Sequence, residues 1–196
     1  MNTAIIILAA GNSSRMGKPK QLLKFNGQTL LELVTNQALK TSCRPIIVVL
    51  GAYADEIRKQ HHHLEVIYVF NEDWEKGMSS SIAKGVTKTL ENDILTENVI
   101  ITVADQVYID STVLEKLVVK HQSNGKSIVT CTYAQTTGTP TLFNKKHFEE
   151  LLNLDGQSGA KTIIKNHPED LATVNFEAGA IDIDTETDYN KIINLK

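Results

Sequence analysis

Four short, largely apolar runs constrain the chain more than any other feature: TAIIILAA (3–10), PIIVVLG (45–51), LEVIYVF (64–70) and NVIITVA (98–104). Each is too short for a core helix. TAIIILAA, PIIVVLG and NVIITVA lack the alternation of a strand with one wet face, so they predict strands covered on both sides, and LEVIYVF predicts a further strand. The stretches between them have helical spacing. TLLELVTNQALK (29–40) brings Leu30, Leu31, Val34 and Ala38 to one face. YADEIRKQ (53–60), SSIAKGVTKTL (80–90) and DSTVLEKLVVKH (110–121) read as further helices, and KSIVTCTY (126–133) as a fifth strand. The alternation predicts an α/β fold: a three-layer α/β/α arrangement around a mostly parallel, Rossmann-like sheet with right-handed crossovers. Ligands of such sheets bind beyond the carboxyl ends of the strands, so the loops at 11–20, 71–79 and 105–109 are expected to share one rim.

Beyond residue 133 the pattern loosens. TPTLF predicts a strand, KKHFEELL and GAKTIIKN helices, LATVNF and AIDID short strands, and TETDYNKIINL a closing helix with Thr185 as its N-cap. No linker, repeat or low-complexity segment interrupts the 196 residues, so 1–196 is expected to form a single domain.

The net charge of −3 argues against bulk nucleic-acid binding. No run approaches 18 apolar residues and no basic leader precedes a cleavage site, which predicts neither membrane span nor signal peptide. Cys43 and Cys131 have no metal-ligand spacing and suit free thiols in a reducing cytoplasm.

The distribution of charge says more than its sum. Residues 1–31 contain no acid, and their four charges are the cations Arg15, Lys18, Lys20 and Lys24. Near the other end, Asp182, Asp184, Glu186 and Asp188 fall within seven residues. The loop from Gly11 to Lys20, leaving the first strand, has the glycines, backbone N–H groups and cations to cradle a polyphosphate. It is not a Walker A loop. Five residues separate Gly11 from Gly17, and Pro19 follows Lys18 where a hydroxyl would be needed. The dinucleotide pattern G-x-G-x-x-G is also missing.

LAAGNSSRMGKPKQLL (8–23) closely resembles the LAAGxSxRMGxPKxLL signature of nucleotidyltransferases with the nucleotide-diphospho-sugar transferase (glycosyltransferase-A-like) fold. NEDWEKGMSSSIAKGV, VADQVYI, GTPTLF, LDGQSGAK and DIDTETDY follow in order and resemble further blocks of the molybdenum-cofactor nucleotidyltransferases, above all the molybdenum cofactor cytidylyltransferases and relatives serving xanthine dehydrogenase maturation. The resemblance implies a cytoplasmic enzyme that transfers CMP from CTP to molybdopterin-bound molybdenum and releases pyrophosphate, with Mg²⁺ as cofactor and a molybdenum hydroxylase such as xanthine dehydrogenase as partner. It implies neither a nucleic-acid nor a membrane partner. GTP in place of CTP remains open, as does a maturation chaperone that binds the cofactor without turnover.

By the same resemblance, Leu8, Ala9, Ala10 and Gly11 line the nucleotide, and Arg15 and Lys20 hold its phosphates and are catalytic with Asp105. Asn71, Gly77, Met78, Ser79 and Ser81 complete the nucleotide-binding segment. Asp105 and Asp182 are the implied metal ligands, while Gly159, Ala160 and Lys161 face the acceptor with Ser158 a further candidate. The chain departs from the family pattern at Ala104, Val107 and Gln157. Independently of any family, Asp105 at the end of a buried strand is an awkward place for an unpaired carboxylate and a good one for a hard cation's ligand. Asp182 and Asp184, two apart on an expected strand, should face one side. Lys18 reads as a solvated helper, Lys24 as a surface lysine and Trp74 as either a pocket wall or a packing residue. His61, His62 and His63 point in three directions at a helix end and read as a solvated face. His121, His147 and His167 carry no motif.

Overall fold

The computed structural model describes residues 2–156 and 159–194. Its centre is β1 (Thr3–Ala9), buried at every position. Two two-residue strands, β2 (Lys24–Phe25) and β3 (Gln28–Thr29), form a small hairpin before α1 (Leu30–Leu39). There follow β4 (Ile46–Leu50), α2 (Ala54–Gln60), β5 (Ile67–Phe70), α3 (Met78–Asn92), β6 (Asn98–Val103) and α4 (Ser111–Asn124). The remainder is β7 (Ile128–Tyr133), β8 (Thr136–Asn144), α5 (Phe148–Leu152), α6 (Lys161–Asn166), β9 (Leu171–Asn175) and α7 (Glu186–Asn194).

Seven strands make one sheet in the order β5-β4-β1-β6-β8-β7-β9. β5, β4, β1 and β6 run parallel; β4, β1 and β6 are the expected doubly covered core, whereas β5, at the edge of the sheet, is half-buried and ends on the exposed Phe70. β8 enters antiparallel between β6 and β7, and β9 pairs parallel with β7. Alternate residues of β1 fill opposite layers. Ile5, Ile7 and Ala9 join α1 and α4, whereas Ala4, Ile6 and Leu8 join α3 and α5. The approach of α3 is close enough that a Cβ at Gly85 would lie 2.5 Å from Ile6 Cγ2.

Local capping accounts for several boundaries. Thr29 and Glu32 form a reciprocal capping box on α1. Asp110 accepts from Val113 N–H at the start of α4, and Gly125, at φ +69°, ends that helix. Thr185 caps α7 as expected, accepting from Asp188 N–H while its own N–H donates to the Asp188 carboxylate.

Two expectations change. AIDID is not a strand: Glu177–Ala180 is a 3-10 turn, and residues 181–184 run on outside the sheet. Asp182 and Asp184 are positioned instead by Ile183, which is fully buried with Phe25, Leu30, Val107 and Ile192. Val107, one of the departures from the family pattern, is thus a packing residue at this junction. The histidine triplet is also not uniformly solvated. His61 is buried, with Nε2 2.7 Å from Thr29 Oγ1 and Nδ1 2.8 Å from Ile57 O, and burial lowers its pKa. His62 and His63 remain exposed. Gln157 and Ser158 lie outside the described residues.

Candidate functional site

The carboxyl end of β1 releases the chain into the loop 10–19, shaped by its own polar groups. Ser14 N–H donates to Asn12 Oδ1, and Met16 and Gly17 N–H groups both reach Ser13 O. Ser13 and Gly17 adopt φ of +52° and +67°. Three of the loop amides are therefore engaged within the loop. Gln21, only 2% exposed, ties the loop to the strand by donating from Nε2 to Ala9 O at 2.8 Å and Gly11 O at 3.0 Å. Lys20 N–H is held by Ser13 Oγ, which fixes the lysine's departure point.

Lys20 then turns inward. Its ammonium contacts Asp105 Oδ2, just past the end of β6, and Asp184 Oδ1 at 3.1 Å. Arg15 Nη2 meets Asp184 Oδ2 at 2.8 Å, and Lys18 meets Glu186 at 3.3 Å. The acid-free start of the chain and its acidic end thus meet across the rim. Burial works against the charge on Lys20, but Asp105 and Asp184 outweigh it and raise the lysine's pKa. Burial acts against Asp184 too, yet Lys20 and Arg15 hold its carboxyl below the usual range.

Asp182 is different. Although the residue keeps an open flank to solvent, crowding by surrounding protein, then the negative charges of Asp105 and Asp184, push its carboxyl up to about 6, against partial relief from Lys20 and Lys161. The other oxygen of Asp105, Oδ1, is buried with no hydrogen-bond partner. An orphaned carboxylate oxygen beside a second carboxylate that resists ionising is a donor set suited to a hard divalent cation.

A second arm of the rim begins at β5. Asn71 is 3% exposed; its Nδ2 donates to Ser80 Oγ and Ser81 Oγ, and its Oδ1 accepts from Asp73 N–H. Gly77, at φ +108°, stands at the head of α3 without a side-chain cap, so the first amides of this 15-residue helix have no capping acceptor from its N-cap. Ser79 is buried and its hydroxyl donates to Asp155 O, while Met78 is exposed. Gly159, at φ +57°, abuts Met78: a Cβ there would sit 2.8 Å from the Met78 sulfur. Ala160 and Lys161 follow at the start of α6, with Lys161 in electrostatic reach of Asp182. Trp74 packs on Gly51, whose Cβ would meet Ala10 O at 2.5 Å and Trp74 Cβ at 2.7 Å, joining this arm to the first loop.

The structure therefore brings Arg15, Lys20, Asp105 and Asp182 together, and separately joins Asn71 to Ser81 and Met78 to Gly159. Leu8, Ala9 and Ala10 lie buried at the end of β1, with Gly11 exposed just beyond. Lys24 is an exposed surface lysine. Three participants were not singled out beforehand for these roles: Gln21 as the loop staple, Gly51 as the seat of Trp74, and Asp184 as the partner of both Arg15 and Lys20. The glycine ending the run PIIVVLG was the one available signal among them.

A nucleotidyl transferase from Methanothermobacter shares this architecture, with a TM-score of 0.82 at 20% identity over 100% of this chain and 99% of that one. Rv0371c from Mycobacterium tuberculosis H37Rv superposes with a TM-score of 0.87 at 25% identity, covering 98% of this chain and 97% of that one. A complex of Rv0371c with manganese shares the fold at a TM-score of 0.81. Residues 5–171 match the MobA-like NTP transferase domain, and the chain belongs to that family. Among curated relatives, nicotine blue oxidoreductase of Paenarthrobacter nicotinovorans is 28% identical over 92% of this chain and 91% of its own length. The purine catabolism protein PucB of Bacillus subtilis is 26% identical over 95% and 94%. The molybdenum cofactor cytidylyltransferase of Escherichia coli is 33% identical over 41% and 42%. No described helix is long and apolar enough to cross a membrane.

Proposed function

We propose that the chain transfers CMP from CTP to the molybdopterin-bound molybdenum cofactor and releases pyrophosphate, with Mg²⁺ as its metal. The convergence of Lys20 and Arg15 with Asp105, Asp182 and Asp184 carries this reading. A terminal phosphate oxygen of the acceptor attacks the α-phosphorus of CTP. A new P–O bond forms as the bond to the β-phosphate oxygen breaks, and the electron pair leaves on pyrophosphate. The attacking phosphate is already anionic at neutral pH, so positioning and electrostatics supply most of the catalysis.

Lys20 and Arg15 hold the triphosphate. In the absence of nucleotide, the acids that face them keep both cations at the rim. Asp105 and Asp182 would hold Mg²⁺, which would supply positive charge against that of the triphosphate and the leaving group. The uncapped start of α3 offers amide donors to a phosphate or a base edge. Lys161, within electrostatic reach of Asp182, draws the acceptor phosphate. The relatives bearing purine catabolism and cytidylyltransferase names support a purine-hydroxylating molybdenum enzyme as the destination and CTP over GTP as donor.

The relative named for an oxidoreductase favours a second reading, in which the chain carries cofactor to such an enzyme without turnover. Calorimetric titration with CTP, GTP, ATP and UTP, each with Mg²⁺, followed by a pyrophosphate-release assay with molybdopterin, separates the two. CTP-selective binding with pyrophosphate release supports the transferase. Cofactor binding without nucleotide binding or pyrophosphate release establishes the carrier.

A further inference from the structure

At the opposite end of the sheet, three side chains without a part in the proposed transfer converge. His147 follows β8, Glu150 lies one turn later in α5, and His167 follows α6. His147 Nδ1 is 2.8 Å from Glu150 Oε1, while His167 Nε2 is 3.0 and 2.9 Å from the two Glu150 oxygens. The imidazole rings lie 4.6 Å apart, and one ligand atom from each residue falls within 4.8 Å of the others. β8 reaches this end antiparallel to β6, with Asn144 opposite Asn98, the first residue of β6. The other end of that strand, Val103, is about 17 Å away at the usual rise per residue, and Asp105 lies beyond it.

We infer that His147, Glu150 and His167 form a second metal site, of a class distinct from the all-oxygen carboxylate pair: a nitrogen–oxygen site for a borderline divalent ion such as Zn²⁺. Two imidazoles and one carboxylate form a donor set that zinc accepts, with water as the usual fourth ligand. Each Glu150 oxygen sits 2.8–3.0 Å from an imidazole nitrogen, close to the roughly 3.3 Å edge of a tetrahedron at ordinary zinc bond lengths, and all three ligand atoms fall within 4.8 Å.

The surroundings orient the donors. His147 is fully buried, and its Nε2 lies 2.6 Å from Ser127 Oγ, whose hydroxyl donates to Asp170 Oδ2 at 2.5 Å. With Ser127 donating onward, Nε2 of His147 is left to donate to Ser127, so Nδ1 is the atom that faces Glu150. Such a hydrogen-bonded outer partner fixes a metal-ligating imidazole's tautomer and direction. Lys146 engages Asp170 at 2.7 Å, leaving Glu150 as the carboxylate that faces the two imidazoles. An Nδ1 lone pair 2.8 Å from a carboxylate is repulsive unless a cation or a proton lies between them. Bound metal would join α5 to the segment after α6, closing the stretch that carries Gly159, Ala160 and Lys161.

The test titrates chelator-treated full-length protein with Zn²⁺, read by calorimetry and thermal unfolding, and with Co²⁺, read by the visible bands of a tetrahedral nitrogen–oxygen field. The expected result is one Zn²⁺ bound per chain with a raised unfolding midpoint, and intense Co²⁺ bands. Binding is expected to weaken at least about 100-fold in His167→Ala and Glu150→Gln, about 10-fold in Ser127→Ala, and to persist in Asp105→Asn. Either ligand variant suffices if the other does not fold, and both residues are partly exposed. Absence of Zn²⁺ binding, equal binding in the ligand variants, or binding lost only in Asp105→Asn would overturn the site. Because the readout is metal binding and not turnover, failure of the proposed transferase activity would leave the outcome unaffected.

Discussion

Lys20 and Asp105, 85 residues apart, form the central ion pair of the rim, and only one of the two carboxylate oxygens takes part. Their side chains are 20% and 14% exposed, and Asp105 Oδ1 remains buried without a partner. A pair built only for stability would satisfy both oxygens, since a buried unmet acceptor is costly. The arrangement leaves one face of the carboxylate for a cation while the lysine holds the other.

Asp105→Asn should therefore abolish divalent-dependent turnover while preserving the fold. A loss of about 10²–10³ in kcat is expected, the scale of removing one preorganised electrostatic group. The unfolding midpoint should fall by only a few degrees, because the amide keeps the shape of the carboxylate and Lys20 retains Asp184. Pyrophosphate-release kinetics beside a thermal melt check both halves, and undiminished turnover would remove Asp105 from the metal site.

Lys20→Met exposes the acids to one another. Asp105, Asp182 and Asp184 lose their shared cation, so the metal-free variant should be less stable than wild type by about 1–3 kcal/mol, the cost of leaving a largely buried polar group without its partner. Mg²⁺ should raise its unfolding midpoint more than that of wild type, because metal takes over the neutralising role, while CTP affinity falls by about tenfold or more through the lost phosphate contact. Thermal melts with and without Mg²⁺ measure the difference. An equal shift in both proteins would separate Lys20 from the metal's surroundings.

The Asp182 carboxyl gives a pH dependence with a definite sign. Its pKa in the folded chain is raised to about 6, so the folded state holds this proton more tightly than the unfolded chain does. Ionised Asp182 costs stability above pH 6, and that cost is relieved as pH falls through 6 toward the ordinary carboxylate range. A metal requires the ionised form, so Mn²⁺ affinity should be level above pH 7 and fall about tenfold per unit well below 6. In Asp182→Asn that inflection should vanish, with weaker metal binding and greater metal-free stability at pH 7.5. Titrations at pH 5, 6, 7 and 8 decide the matter, and an inflection unchanged in the variant would place the titrating group elsewhere.

β1, β4 and β6 were legible because burial on both faces leaves continuous apolar runs. The first loop was legible because its signature is contiguous. AIDID looked like a strand because Ile181 and Ile183 alternate with acids, but alternation reports a buried face, not a ladder. Here Ile183 finds its cover in Phe25, Val107 and Ile192 with no strand beside it. The roles of Asp184 and Gln21 depend on contacts across the fold or around a loop that no spacing encodes. His147 and His167 lie twenty residues apart with no motif, and only the return of the chain after α6 brings them onto Glu150.

Gly51 tests how the two arms of the rim are joined. A Cβ there would strike backbone at Ala10 O and the root of the Trp74 side chain, neither of which can rotate away. Gly51→Ala should cost about 1–3 kcal/mol through overpacking. It should also displace Trp74 relative to the first loop. The expected signature is a shifted tryptophan emission maximum, Trp74 being the single tryptophan of the chain, with weakened CTP binding. Unchanged emission and stability would mean that the two loops move apart freely and that their contact does not shape the pocket.

The histidine triplet separates structural from solvated roles within three residues. His61 bonds to Thr29, the N-cap of α1, and to Ile57 O in α2, so it links two helices from inside the protein. His61→Ala should leave the Thr29 hydroxyl without that partner and open a cavity, lowering stability by about 2–3 kcal/mol. His62 is exposed and reaches the carbonyl of Lys59 and the ring of His63 at the surface, and His62→Ala should change stability by less than about 0.5 kcal/mol and leave activity intact. Urea unfolding of the two variants side by side measures the contrast. Equal effects would mean that the burial of His61 contributes nothing to the fold, whereas a large activity loss in His62→Ala would place the exposed imidazole in the site.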